Sequence, residues 1–131
     1  MWGFTLVELL IVVAIIAMLT ATVSVFYSGT RAKSRDARRE QDIKTLVSAL
    51  SLYVASSPRY PVYTGYITGA DSLSVDLKNS GSVEVAPTDP TNSGNYRYHY
   101  YSADGTDYTI TYYLETDSIP GKTPGVNTAG P

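Results

Sequence analysis

One acidic side chain, Glu8, lies inside a long apolar stretch and is the residue whose position most suggests chemistry. It is the only charged residue between positions 4 and 26. A carboxylate in an apolar segment is costly to bury without a cation, and such residues commonly mark functional sites. No Lys or Arg lies within one helical turn of Glu8. We therefore expect its cationic partner to come from elsewhere, for example from a second copy of the chain.

Few other residues are candidates for catalytic or metal chemistry. His99 is the only histidine and cysteine is absent, which excludes a thiol nucleophile, a thiolate metal site and a disulfide. Asp104, Asp107 and Asp117 could bind calcium, but they lack EF-hand spacing and favour a hairpin loop. No phosphate-binding glycine loop or nucleophile elbow is present. We predict no catalytic residue, no cofactor, no metal site and no specific nucleic-acid site.

The elements that position Glu8 are helical. At ~1.5 Å per residue, a helix over residues 4–26 would be about 34 Å long, enough to cross the hydrocarbon core of a bilayer. Further on, apolar residues recur along one helical stripe: Ile43, Leu46, Val47, Leu50, Tyr53 and Val54. No proline precedes Pro58, so we predict one helix over about residues 4–55. Its first half must bury all its sides against lipid or other helices, whereas its second half needs one partner surface.

Short β-strands are predicted after the helix. Residues 63–67, 96–102 and 108–115 are rich in β-prone residues, and a glycine-containing loop joins the last two strands as a hairpin. The last strand places four residues on one face: Tyr108, Ile110, Tyr112 and Leu114. Leu73, Val75 and Leu77 alternate with polar residues, which suggests a short strand or a loop anchor. Three prolines and three glycines predict an extended or disordered tail over residues 118–131.

A group of basic residues follows the apolar stretch. Residues 27–44 carry six basic and three acidic side chains, although the whole chain has a net charge of −2. A basic segment beside a membrane span can contact anionic lipid headgroups. It can equally contact acidic surfaces of neighbouring subunits, or form a solvated helix with i,i+4 ion pairs. The sequence leaves these three interpretations open.

The residues around Glu8 resemble the prepilin motif of type IV pilins and type II secretion pseudopilins. Gly3, Phe4 and Glu8 match its Gly before the cleavage point, its Phe after it and its Glu four residues further on. The resemblance implies cleavage after Gly3 by a prepilin peptidase and N-methylation of Phe4. It also implies that Glu8 pairs with the Phe4 amine of a neighbouring identical subunit. The implied fold is the α+β pilin fold, in which the second half of a long N-terminal helix packs on a small antiparallel sheet.

The function implied by this resemblance is that of a structural subunit of a type IV pilus, not an enzyme. Such a subunit waits in the inner or cytoplasmic membrane and then polymerises through its helix into an extracellular filament for adhesion, motility or DNA uptake. A secretion pseudopilin and a single-span anchored binding domain that does not polymerise remain alternatives. The expected divisions are a leader remnant at 1–3, a transmembrane or filament-core helix at 4–28, the amphipathic half of the helix at 29–57, a β-sheet head at 58–117 and a tail at 118–131.

Overall fold

A computed structural model describes residues 3–131, including all of their side chains except those of residues 23–26 and 28. Residues 1 and 2 of the expected leader remnant therefore lie outside the described part. The elements in chain order are α1 (Leu6–Ser56), β1 (Tyr63–Tyr66), α2 (Ser72–Asn79), β2 (His99–Ser102), β3 (Thr109–Leu114) and β4 (Gly125–Ala129). The predicted α+β class is confirmed. The chain divides into two compact units, Met1–Ala32 and Lys33–Pro131, and α1 contributes to both.

Helix α1 begins after Thr5 and ends two residues before Pro58, close to the predicted bounds. In the first unit, every large apolar side chain from Phe4 to Leu19 is at least 47% exposed. By length and apolarity, no helix among the described residues qualifies as a membrane span, so the transmembrane assignment of residues 4–28 is not confirmed.

The second unit is built on an antiparallel sheet in which strands adjacent in the chain are also adjacent in space, in the order β1-β2-β3-β4. Its core joins the apolar stripe of α1 to one face of the sheet. Ile43, Leu46 and Leu50 belong to the same buried cluster as Ile110 and Leu114. The predicted inward face of β3 is confirmed, since alternate residues from Tyr108 to Leu114 are buried.

The region around Leu73 is helical, so the strand predicted there is wrong. Asp71 caps α2, because its carboxylate accepts a hydrogen bond from the backbone N–H of Ser74 at 3.0 Å. Leu73 and Leu77 are buried one helical turn apart, whereas Val75 between them is 44% exposed. The apolar residues at 73 and 77 fit a helical period, and the sequence interpretation mistook them, with Val75, for strand alternation.

The last strand, β4, lies within the tail predicted to be extended or disordered. It pairs with β3 over the whole of its length, with Ile110 opposite Ala129 and Leu114 opposite Gly125. The prediction of an extended tail is therefore correct for residues 125–129, and the prediction of a disordered tail is wrong for them. The sequence interpretation missed the strand because its small and polar residues, Gly125 to Ala129, carry little apolar signal.

Candidate functional site

The residues around the predicted cleavage point form the start of α1. Gly3, Phe4 and Thr5 precede the helix and are exposed. An added Cβ on Gly3 would meet no atom within 4 Å, so the peptide bond between Gly3 and Phe4 lies in an open, non-helical segment. Phe4 is 83% exposed. This segment of chain is free of the hydrogen-bonded helix and is accessible to another molecule.

Glu8 is held by Thr5 in a capping box at the first turn of α1. The Glu8 Oε2 atom accepts hydrogen bonds from Thr5 N at 2.9 Å and from Thr5 Oγ1 at 2.8 Å. In return, Glu8 N donates to Thr5 Oγ1 at 3.2 Å. This reciprocal pairing satisfies backbone donors that the start of a helix leaves open. Glu8 therefore has a local structural role beside any role in contacts between subunits.

The capping box uses only one of the two Glu8 carboxylate oxygens. Within residues 3–131, Oε1 accepts no hydrogen bond and Glu8 forms no ion pair. The carboxylate group is therefore fixed in orientation and still has an acceptor available for a cation. Sequence reasoning identified Glu8 but missed Thr5, although the Thr-x-x-Glu spacing before an apolar run is the sequence signal of a capping box.

Exposed apolar side chains continue from this site along the first unit. A contiguous apolar surface of this extent is uncommon on a soluble monomer and marks contact with other proteins or with lipid. The side chains lie on all sides of the helix rather than along one stripe. Glu8 therefore supplies the only charge on an otherwise apolar surface in residues 4–22.

In the second unit, one arginine of the basic segment 27–44, Arg39, is completely buried. Arg39 donates from Nε to Asp89 Oδ2 at 2.7 Å and from Nη1 to Asp36 Oδ1 at 2.9 Å. The same Nη1 donates to Glu115 Oε1 at 2.6 Å. Arg35 donates from Nε to the same Glu115 oxygen at 2.7 Å. These five residues form an ion network that is buried at Arg39, Asp36 and Asp89 and half-buried at Arg35 and Glu115, and it joins α1 to the loop after Pro87 and to the end of β3.

Hydrogen bonds keep the carboxylates of Asp36 and Glu115 ionised. Burial alone would raise the pKa of Asp36, but hydrogen bonds from Glu115 N, Thr116 and Arg39 outweigh it and lower that pKa. A hydrogen bond from Arg35 is the largest cause that lowers the pKa of Glu115, to about 2. The same carboxylates raise the pKa of Arg39 above its ordinary value despite the opposing effect of burial.

The network changes the interpretation of the basic segment. Arg35 and Arg39 also pair with Asp89 and Glu115 of the second unit, distant partners that none of the three sequence interpretations included. The solvated-helix interpretation describes Arg38 and Lys44, whose exposed side chains lie 3.8 Å from the i,i+4 acids Asp42 and Glu40. Two of the six basic residues of the segment, Arg35 and Arg39, therefore attach α1 to residues beside the sheet.

The other sequence candidates lie apart from both sites. His99, on β2, contacts the ring of Tyr66 edge to face. Asp104 accepts hydrogen bonds from Thr106, and the Asp107 carboxylate accepts one from its neighbour's N–H, as expected of a hairpin loop. In the described part of the chain, no three His, Cys, Asp or Glu side chains are grouped to hold a metal ion.

Comparison with known families gives one match. Residues 3–24 match the prokaryotic N-terminal methylation motif, which includes Gly3, Phe4 and Glu8. No curated protein and no solved structure matches the chain. The motif implies processing by a prepilin peptidase and a place in pilus-type assembly, and it points to a structural protein rather than an enzyme. Over residues 3–24 the chain therefore carries the N-terminal signature of the type IV pilins and pseudopilins.

Proposed function

We propose that the protein is a structural subunit of a type IV pilus and polymerises through its N-terminal helix into a helical surface filament of identical subunits. The observation that carries this proposal is a single oriented carboxylate on an exposed apolar helix that bears the methylation motif. Contacts between the start of one helix and a different level of its neighbour are heterologous and do not close, so they give filaments rather than rings. Adhesion, motility and DNA uptake are the uses such a filament would serve.

Processing would occur at the peptide bond between Gly3 and Phe4. The exposed, non-helical segment before α1 supports this position, because a peptidase must bind its substrate as extended chain. Cleavage there would create a new amine on Phe4, which would then be methylated. Intact-mass analysis of surface filaments should find chains that begin at methylated Phe4, and Gly3→Val should abolish both cleavage and filaments. Filaments whose chains begin at Met1 would overturn this step.

Assembly would place the Phe4 amine of one subunit on the free Oε1 of Glu8 in its neighbour. Within one chain Thr5 already occupies Glu8 Oε2, so the amine would pair with the free Oε1 of a neighbour displaced along the helix axis. The remaining contacts along the first unit would be apolar and tolerant of sliding. The charge pair would therefore set the axial register of the subunits before and after they leave the membrane for the cell surface.

Two roles of Glu8, capping and charge pairing, can be separated by substitution. Glu8→Gln keeps an oxygen that can accept the hydrogen bonds of Thr5 but removes the charge, whereas Thr5→Ala removes the cap and keeps the charge. We expect Glu8→Gln and Glu8→Leu to leave the subunit in the membrane fraction, cleaved but not assembled. Thr5→Ala should still assemble, with a start of the helix that is less stable by about 1 kcal/mol.

The measurement compares the amount of subunit in membranes with the amount in filaments sheared from the cells. Normal filaments from Glu8→Leu would exclude the charge pair as the basis of assembly. Absence of filaments from the wild-type chain would favour a single-span anchored domain that does not polymerise. Normal filaments from Glu8→Gln combined with none from Thr5→Ala would assign Glu8 to capping alone.

A type II secretion pseudopilin is the second candidate, because the matched motif is shared by both classes. The two differ in what a deletion removes. Loss of the gene should abolish long surface filaments if the protein is a pilin. It should instead block export of folded proteins, with no effect on long filaments, if the protein is a pseudopilin.

A further inference from the structure

The outer face of the sheet carries a groove of about 200 Å³ on the side opposite the core. Tyr66, His99 and Thr111 lie directly across from one another on β1, β2 and β3. Their neighbours Tyr100 and Ile110 point to the core. The groove is lined by Tyr66, Asn95, Arg97, His99, Thr111 and Tyr113.

Aromatic rings form two walls of this groove. The rings of Tyr66 and His99 meet edge to face, with centroids 5.4 Å apart. On the other side the ring of Tyr113 lines the groove and meets edge to face, at 5.5 Å, the ring of Tyr96, which lies outside the lining. Each pair fixes the other's rotamer, so the walls are held in place before any ligand binds. The groove is therefore a preformed concave site with aromatic sides.

Arg97 stands out among the arginines because its guanidinium makes no hydrogen bond and no ion pair within the described part of the chain. The other five arginines each have such a partner. The Arg97 Cζ atom instead lies 5.4 Å from the centroid of the Tyr66 ring. All five N–H donors of Arg97 are thus available at the edge of the groove.

The other polar groups of the groove are also available, and none of the lining residues is acidic. Within residues 3–131, the Asn95 amide, the Thr111 hydroxyl and the Tyr113 hydroxyl form no hydrogen bond. Arg97 is therefore a cation with no carboxylate beside it in the groove, an arrangement that suits an anionic ligand.

We propose that the groove binds a hexuronic acid unit of an acidic polysaccharide, with the sugar carboxylate on Arg97. A guanidinium can hold a carboxylate through two parallel hydrogen bonds. The C–H groups on a sugar ring pack against aromatic walls, and its hydroxyl groups match the free donors and acceptors of Asn95, Thr111 and Tyr113. Nucleic acid fits less well, because its binding relies on several cations along the phosphate backbone and Arg97 is the only arginine or lysine in the lining.

The test uses the full chain in nonionic detergent micelles, so it does not depend on filament assembly. Trigalacturonate and its methyl triester are titrated by calorimetry, since the two share ring and hydroxyl groups and differ in charge. Arg97→Gln removes the guanidinium, and Lys78→Gln is the matched control, an exposed cation on α2 with the same change in charge. Thermal melts confirm that each variant is folded.

We expect the wild-type chain to bind trigalacturonate about tenfold more tightly than the triester, as one charge-assisted hydrogen-bonded contact gives. Arg97→Gln should bind both ligands equally, and Lys78→Gln should behave as wild type. Equal binding of acid and ester by the wild type would overturn the proposal. So would an equal loss in Lys78→Gln, or no binding at about 10 mM ligand, well above a weak Kd of roughly 1 mM. Tighter, Arg97-dependent binding of a ten-nucleotide oligo-dT would assign the groove to nucleic acid instead.

Discussion

Replacing Arg39 with Met is expected to destabilise the second unit strongly. The substitution keeps an unbranched apolar side chain but removes the guanidinium that binds Asp36, Asp89 and Glu115. The three carboxylates would then share Arg35 as the only remaining cation of the network. Removing one partner of a buried ion pair costs about 3–5 kcal/mol, because the other charge is left buried and uncompensated. We expect the free energy of unfolding to fall by an amount in this range.

Arg38→Met is the matched control for this experiment. The Arg38 side chain is 66% exposed and lies 3.8 Å from Asp42, so its loss should change the free energy of unfolding by about 0–1 kcal/mol. The assay is urea unfolding of the full chain in nonionic detergent, followed by the near-UV circular dichroism of the buried tyrosines. If Arg39→Met costs no more than Arg38→Met, the network does not hold the helix to the sheet and our reasoning fails.

Three further outcomes are expected. Leu50→Ala should lower the free energy of unfolding by about 2–5 kcal/mol because Leu50 is fully buried. The control Leu52→Ala, at a side chain 59% exposed, should change that free energy by less than about 0.5 kcal/mol. Equal losses in urea titrations would contradict this assignment of helix faces. The folded chain lowers the pKa of Glu115 from 4.5 to about 2, so the ion pairs of Glu115 stabilise the fold above about pH 4.5 and lose that effect as the pH falls towards 2. Melting temperatures over this range should fall less steeply for Glu115→Gln than for wild type, and parallel curves would argue against the shift. The buried Tyr108 hydroxyl has no partner within the described residues, whereas the Tyr100 hydroxyl donates to a backbone carbonyl at 2.9 Å. Thermal melts should therefore show Tyr108→Phe as neutral or stabilising and Tyr100→Phe as destabilising by about 1 kcal/mol. The reverse order would mean that Tyr108 has a partner.

The long periodic elements were predictable from the sequence because one period persists over many residues. The stripe containing Leu46 and Leu50 repeats at helical spacing, and the alternation through Ile110 and Leu114 defines a strand with one buried face. The motif at Gly3, Phe4 and Glu8 was likewise readable, because it is local and its spacing is fixed.

Sequence analysis missed two kinds of feature: contacts between residues far apart in the chain, and elements too short to show a period. Helix α2 has eight residues, too few for a helical period to be told from alternation at Leu73, Val75 and Leu77. Two partners of Arg39, Asp89 and Glu115, lie 50 and 76 residues away, so charge counting missed them and treated Arg39 as a surface residue. Strand β4 is recruited by the open edge of β3 rather than by its own composition.

The contacts between the basic segment and the end of β3 also fix the order in which the protein can mature. Asp36 is satisfied by Glu115 and Thr116, about 80 positions later in the chain. The second unit can therefore close only after Glu115 and Thr116 have been synthesised, when the N-terminal helix has already been made and is available to a membrane or a neighbour. Until then, the charges of Arg39 and Asp36 stay in water, which keeps the unfinished segment soluble beside its apolar N-terminal neighbour.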